Sequence, residues 1–144
     1  IEMARQAREG RVFAVEKKEG ALSLLEENRK KFHVSNLEIV PGSAPGACRE
    51  LPPPTHAFLG GSSGNLREIV ALLLEKNPQV RIVASGVTLE TVGELTGIGK
   101  DFSFATFDAV CISASRSRNA GVFHLMCAQN PVYLFTFQRQ GGAP

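Results

Sequence analysis

Leu59-Gly60-Gly61-Ser62-Ser63-Gly64-Asn65 follows the apolar run Ala57-Phe58-Leu59 and opens into a stretch with helical apolar spacing from Leu66. An apolar strand that runs into three glycines and three small polar residues predicts a strand-to-helix turn whose backbone can approach a ligand. Gly60, Gly61 and Gly64 have no Cβ to block that approach, and Ser62, Ser63 and Asn65 are residue types that cap the helix that follows. Ligands in open α/β sheets sit at the carboxyl ends of such strands. A tight turn with no ligand would have the same composition, so the flanking sequence has to decide between the two.

Downstream, Leu66, Ile69, Val70 and Leu73 give a helix its buried stripe, Asn77-Pro78 stops it, and Val80-Arg81-Ile82-Val83-Ala84 reads as the next strand. Thr88 is placed to cap a helix over Glu90 to Leu95, and the helical pattern breaks at Gly97 and Gly99. Upstream, Pro52-Pro53-Pro54 enforces an extended approach to the strand Thr55–Leu59, preceded by a short helix over Ala47 to Leu51. Earlier still, Ile1 to Ala7 is helical in pattern, and Gly10 ends that helix. Arg11-Val12-Phe13-Ala14-Val15 is a strand that stops at Glu16. Lys18 to Phe32 repeats Ala21, Leu22, Leu25 and Phe32 at helical spacing, with Glu26/Lys30 and Glu27/Lys31 as i,i+4 pairs on the outer side. Leu37-Glu38-Ile39-Val40 is another strand, running into Pro41-Gly42-Ser43-Ala44-Pro45. After Gly99, Phe102 to Ser115 and Asn130 to Gln138 are both rich in β-formers, with no helix-length apolar period between them, which predicts an antiparallel pair at one sheet edge.

The chain of 144 residues, 43% hydrophobic and 21% charged, fits a single α/β domain over residues 1–144. It contains no apolar run of about 20 residues and no leader pattern, which predicts a soluble cytoplasmic protein with no membrane association. Cys48, Cys111 and Cys127 are odd in number and lack CxxC spacing, so they read as reduced thiols, two of them in strands, and no metal site is expected. The net charge of +2 names no partner, and Lys17, Lys18, Arg29, Lys30 and Lys31 alternate with acids without aromatics between them, as a solvated helix face does. Nucleic acid is not the expected ligand.

Glu16 carries the first chemical suggestion. An ionised carboxylate is acceptor-only, and at the end of this strand in nucleoside-binding α/β folds it takes hydrogen bonds from ribose hydroxyls. A helix N-terminal acid favoured by the macrodipole would occupy the same place. Gly42, Ser43 and Ala44, small or polar after the next strand, are placed to flank a base.

A parallel α/β sheet that closes on an antiparallel pair is the organisation of Rossmann-like class I methyltransferases that use S-adenosylmethionine. Within that class the sequence resembles the decarboxylating precorrin C-15 methyltransferases of cobalamin biosynthesis. The resemblance rests on Ile1-Glu2-Met3-Ala4, Phe13-Ala14-Val15-Glu16, Gly42 with Ala44-Pro45, Phe58 through Asn65, Val87-Thr88-Leu89-Glu90 and Ala128-Gln129-Asn130-Pro131-Val132-Tyr133. It implies that Glu16 binds the cofactor ribose, that Gly42, Ser43 and Ala44 flank adenine, and that Gly60 and Gly61 line the methyl-transfer cleft. It also implies a polycarboxylate precorrin substrate, for which Ser62, Asn65, Arg116 and Arg118 are binding candidates and His124 the catalytic candidate. A homo-oligomer, a tetramer by the resemblance, and a fused or paired C-5 methyltransferase domain are further expectations. The glycine-rich loop after the first strand of such folds would lie before Ile1, which predicts a polypeptide that begins earlier than this chain.

Two other readings share these residues. A methyltransferase acting on RNA or another small molecule would keep Glu16 and the fold. Such enzymes often carry an Asn/Asp-Pro-Pro-aromatic motif where this chain has Gly60-Gly61-Ser62, and Asn130-Pro131-Val132-Tyr133 comes too late to be that motif. A non-catalytic domain kept as a partner-binding surface would bind no cofactor.

Overall fold

The structure is a computed structural model that describes residues 1–61, 64–102 and 104–139. It divides into two compact units, Ile1–Pro52 and Pro53–Pro144. The first contains α1 (Glu2–Gln6), β1 (Val12–Glu16), α2 (Glu19–Lys31), β2 (Leu37–Pro41) and a 3-10 turn at Gly46–Cys48. β1 and β2 are parallel, from Val12 opposite Leu37 to Glu16 opposite Pro41. Parallel neighbours need a crossover, which α2 supplies. The buried residues here are Ala4, Val34 and Leu37, with Ile1, Val12 and Ala14 packed against them. The Asn36 side-chain amide reaches the carbonyls of Ala4, Ala7 and Gly10 at 3.0, 2.7 and 2.9 Å. It thereby serves carbonyls that the end of α1 leaves without helical partners. The expected helix over Ala47 to Leu51 is instead the short 3-10 turn, since Pro45 and Pro52 leave too little chain for a full α-helical nucleus.

The second unit contains β3 (His56–Leu59), α3 (Leu66–Lys76), β4 (Arg81–Gly86), α4 (Leu89–Asp101), β5 (Thr106–Ile112), β6 (Ser115–Ala120), β7 (Phe123–Ala128) and β8 (Val132–Gln138). Four of these strands form one sheet in the order β3-β4-β8-β5. β3 and β4 are parallel, whereas β8 runs antiparallel to both β4 and β5. The expected antiparallel pair at the sheet edge is therefore β8 and β5. α3 buries Leu66, Ile69, Val70, Leu73 and Leu74, the stripe its 3.6-residue period predicts. Val80, Ile82, Ala84, Leu95, Ile98, Phe135 and Phe137 complete this core. The Phe137 ring centroid lies 5.0 Å from that of Phe104 and 5.6 Å from that of Phe107, within the range of favourable tilted aromatic pairs.

Two departures from the sequence reading have identifiable causes. α4 does not end at Gly97; it runs to Asp101 with both glycines inside it. A Cβ on Gly99 would lie 2.6 Å from ring carbons of Phe107, so this glycine marks a close helix–sheet approach and not a helix end. The connection between β5 and β8 is no simple loop either. β6 and β7 pair into a separate two-stranded antiparallel hairpin, turning at Gly121 with φ of 63°. Ser115-Arg116-Ser117-Arg118-Asn119 lacks the alternating apolar residues by which a half-buried strand is recognised, because the whole hairpin is largely exposed.

The two kinds of helical glycine lead to opposite expectations. A methyl at Gly93 meets nothing within 4 Å, so Gly93→Ala should raise stability by about 0.5–1 kcal/mol through helix propensity. At Gly99 the same gain of about 1 kcal/mol opposes an overpacking cost of about 1–3 kcal/mol. Gly99→Ala should therefore destabilise or at best break even. Urea unfolding followed by circular dichroism separates the two, and equal stabilisation by both would show that Phe107 does not constrain α4.

Candidate functional site

Glu16 ends β1, and the chain turns at once into α2. Its carboxylate Oε1 accepts the backbone N–H groups of Lys17 and Lys18, each at 2.8 Å. Lys18 occupies the N-cap position of α2 but makes no side-chain cap bond, so the glutamate serves this helix start from just outside it. The Glu16 carboxyl is held below its ordinary value, first by the Lys18 N–H and then by that of Lys17. It is therefore an ionised acceptor at neutral pH, the state a ribose diol requires.

Next to it, the Gly42 N–H donates to the Glu16 carbonyl at 2.9 Å, extending the β1–β2 ladder by one bond. Gly42 has φ of +143°, and a Cβ there would sit 2.8 Å from that of Ala47, so the backbone itself demands glycine. The Ser43 carbonyl accepts the Ala47 N–H at 3.0 Å, and Ala44-Pro45 is a cis peptide. Glu16, Gly42, Ser43 and Ala44 thus stand together at the carboxyl ends of two parallel strands, Ser43 exposed and Ala44 half-buried.

In the second unit, Gly60 and Gly61 follow β3 at the carboxyl end of its strand, beside the carboxyl end of β4. A Cβ on Gly60 would come 3.2 Å from the Phe58 ring, whereas one on Gly61 would meet nothing within 4 Å, and Gly61 has no positive φ. Packing within the described residues therefore does not require glycine at 61. Ser62 and Ser63 lie outside the described residues. Asn65 occupies the N-cap position of α3, and its carbonyl accepts the Ile69 N–H at 3.0 Å, but its side chain makes no cap bond. The capping expected of Asn65 is thus met by its backbone only. Thr88 caps α4 as expected, its Oγ1 accepting the Thr91 N–H at 3.2 Å.

Arg116, Arg118 and His124 all fall on the β6–β7 hairpin and are exposed. Directly opposed residues of an antiparallel pair share a face, and successive residues alternate. Arg116 opposes Cys127 and Arg118 opposes Leu125, so both arginines share one face. His124 opposes Asn119 and points to the other, with Ser117 and Met126. The three candidates are therefore not one cluster. Arg118 Nε donates to Cys127 Sγ at 2.9 Å, in keeping with that face assignment.

A feature that sequence alone did not reveal is the row at the carboxyl edge of the larger sheet, where Gly86 opposes Tyr133 and Tyr133 opposes Cys111. Cys111 faces Tyr133 across the β8–β5 pair, and its interaction with the phenol, first through hydrogen bonding and then through the charge of the ionised thiol, holds the tyrosine pKa above its ordinary value, with burial adding to the rise. Tyr133 is the single tyrosine of the chain. Its cysteine partner lies 22 positions earlier in sequence and becomes visible only with the strand register.

Residues 1–139 match the family described as precorrin methyltransferase domain. The chain is 35% identical over 131 residues to a probable cobalt-precorrin-6B C(15)-methyltransferase (decarboxylating) of Pyrobaculum calidifontis, an alignment that takes in 88% of this chain and 65% of that protein. The precorrin-6Y C5,15-methyltransferase of Geobacter metallireducens superposes with a TM-score of 0.80 at 29% identity, covering 90% of this chain and 69% of that one. The C-terminal domain of the Rhodobacter capsulatus precorrin-6Y C5,15-methyltransferase gives 0.78 at 26% identity, again over 90% and 69%. With a family match over nearly its whole length, the chain belongs to the precorrin methyltransferase domain family and has the α/β fold of class I S-adenosylmethionine-dependent methyltransferases.

Proposed function

We propose that the protein containing this chain methylates C-15 of a late precorrin at the expense of S-adenosylmethionine and removes the carboxyl group of the C-12 acetate, a step in cobalamin biosynthesis. The observation that carries this reading is the family match over residues 1–139, with an ionised glutamate at the carboxyl end of β1. The cofactor, when bound, supplies an already activated methyl group, so the protein has chiefly to orient and to exclude water. Glu16 fits a ribose: two backbone N–H groups fall on Oε1, and Oε2 faces the task of accepting a hydroxyl. Gly42, Ser43 and Ala44 offer a small, partly exposed turn to the flat face of adenine. Gly60 and Gly61 border the methyl-transfer cleft, with Ser62 and Asn65 toward the substrate. Asn65 fits that role because its side-chain amide is not used in capping α3.

The substrate carries several carboxylates, and the arginine face of the hairpin suits them by charge-assisted hydrogen bonding. His124, on the opposite face, fits a role in catalysis less well than either arginine fits binding. A homo-oligomer and a C-5 methyltransferase partner, fused or separate, belong to the same reading; the Rhodobacter domain similar to this chain is itself a C-terminal domain. Among the described residues no helix is long and apolar enough to cross a membrane, in keeping with a cytoplasmic place of action.

Glu16→Ala should weaken S-adenosylmethionine binding by roughly 10- to 100-fold through lost charge-assisted hydrogen bonds, as read by calorimetric titration of the full-length protein. The sign of the pH dependence follows from the lowered pKa: the folded carboxyl stays ionised below the unfolded value. Its contribution is present above the unfolded pKa and is lost only as pH falls through the lower folded one. Affinity between pH 6 and 8, a range set by the ordinary glutamate value of about 4.3, should accordingly show no break due to Glu16. An unchanged Kd in the mutant would take Glu16 out of the site.

Gly61→Val is the complementary test. Since a Cβ at this position meets nothing within 4 Å among the described residues, the variant should fold with wild-type circular dichroism and yet lose methyl transfer by about 100-fold or more, the cost of misplacing reacting groups by about 1 Å. Normal turnover in the folded variant would refute a cleft role for this turn.

Replacing Arg116 and Arg118 together by glutamine should raise KM for the precorrin while leaving cofactor Kd unchanged. That effect should shrink between low salt and 0.15 M, where the Debye length is about 8 Å. Wild-type kinetics of the double variant at low salt would make the hairpin an ordinary solvated surface.

A further inference from the structure

We propose that Tyr133, opposite Cys111 across β8 and β5, is the proton donor that replaces the departing carboxylate, an inference that rests on the decarboxylating function proposed above. The geometry begins with direction. β8 runs antiparallel to β4 and β5, so its amino end lies where their carboxyl ends lie. Leu59 opposes Ala84, Gly86 opposes Tyr133 and Tyr133 opposes Cys111, which sets the glycine turn after β3, the end of β4 and the phenol along one edge. That is the edge at which open α/β sheets receive their ligands.

Three other protic side chains of this unit, His56, Asp108 and His124, fit the task less well. His56 begins β3 at the opposite edge, where it pairs with Arg81. Asp108 opposes Thr136, three residues from Cys111, and therefore projects from the other face of the sheet. His124 lies on the hairpin, turned away from the arginine face. Tyr133 is half-buried and Cys111 exposed, so the phenol is shielded while its partner remains in reach of solvent. A phenol is protonated at neutral pH, as a donor must be before the step.

The step balances without any oxidant or reductant. The bond between the acetate methylene and its carboxyl carbon breaks, and carbon dioxide leaves. The electron pair passes into the conjugated macrocycle and returns to the methylene carbon, where it forms a C–H bond with the proton of the Tyr133 hydroxyl. The product carries a methyl group. The tyrosinate then recovers a proton from solvent by way of the Cys111 thiol, a thiol being ordinarily a stronger acid than a phenol.

The test follows methyl transfer and carbon dioxide release separately in the full-length protein with a precorrin substrate. Tyr133→Phe keeps the ring and removes only the hydroxyl. It should retain methyl transfer and cofactor Kd within about 3-fold of wild type while carbon dioxide release falls by about 100-fold or more, the usual weight of a general acid. The methylated, undecarboxylated product should accumulate. Cys111→Ala should slow decarboxylation to a smaller degree and shift the tyrosine titration, read by ultraviolet difference absorbance against Tyr133→Phe, toward its ordinary value. Wild-type decarboxylation by Tyr133→Phe overturns the proposal and leaves the methyltransferase reading intact. Equal loss of both half-reactions also overturns it, since the tyrosine would then be a positioning residue. A wild-type protein that neither methylates nor decarboxylates removes the function and this inference together. Should Tyr133→Phe fail to fold, unchanged decarboxylation by Cys111→Ala is the overturning result.

Discussion

β8 is hydrogen-bonded along both edges, to β4 from Ile82–Phe137 to Gly86–Tyr133 and to β5 from Thr106–Gln138 to Ile112–Val132. Its register is held by two aromatic side chains, Phe135 and Phe137, that are 3% and 0% exposed. A slip of one residue would turn both rings out of the core and bring Leu134 and Thr136 in. Losing a buried phenylalanine typically costs about 3–5 kcal/mol, against a net stability of about 5–15 kcal/mol for a domain. The slip is therefore forbidden, and the orientation of Tyr133, two residues before Phe135 on the same face, comes with the core. The carboxyl edge of this sheet is fixed by packing roughly 7 Å away along the strand.

The smaller unit solves a different problem. Glu16 serves the first turn of α2, and under the proposed function it would also have to stay ionised and accessible. These demands do not compete, because a carboxylate has two oxygens and about four lone-pair sites. The helix-start reading of an acid at this position is what the fold shows, and the backbone bonds that orient the carboxylate also keep its proton off, the state in which it could accept a ribose hydroxyl.

The long periodic elements were legible because burial imposes their pattern. α3 shows its stripe since one face of it is core, and β4 shows its alternation for the same reason. The sequence is silent where tertiary contact reverses a local signal. Gly99 reads as a helix end, and only the Phe107 ring against it explains a glycine inside α4. The β6–β7 hairpin has no core face to leave a period, so its strands look like loop. Of the candidate site, the residues after β1, β2 and β3 could be read from their positions at strand ends. The Tyr133–Cys111 pair could not, because cross-strand neighbours are set by register and not by spacing.

The hairpin shows how strand geometry constrains chemistry even where nothing is buried. Residues 115–128 contain Arg116 and Arg118 but no acid. The two guanidinium groups leave the same face of β6 from Cα atoms about 7 Å apart. Two exposed like charges at that separation repel each other weakly, with solvent and salt screening most of the interaction. An isolated two-stranded sheet, marginal in water at best, has little stability to spare for that repulsion. Arg118 is partly engaged by Cys127, but a neutral sulfur does not cancel the charge. A polyanion on the arginine face would relieve the repulsion and add charge-assisted bonds, whereas one on the opposite face would meet His124 among Met126, Ser117 and Asn119. The alternation of side chains along β6 and β7 thus separates a cationic face, with both arginines, from the face that carries the histidine.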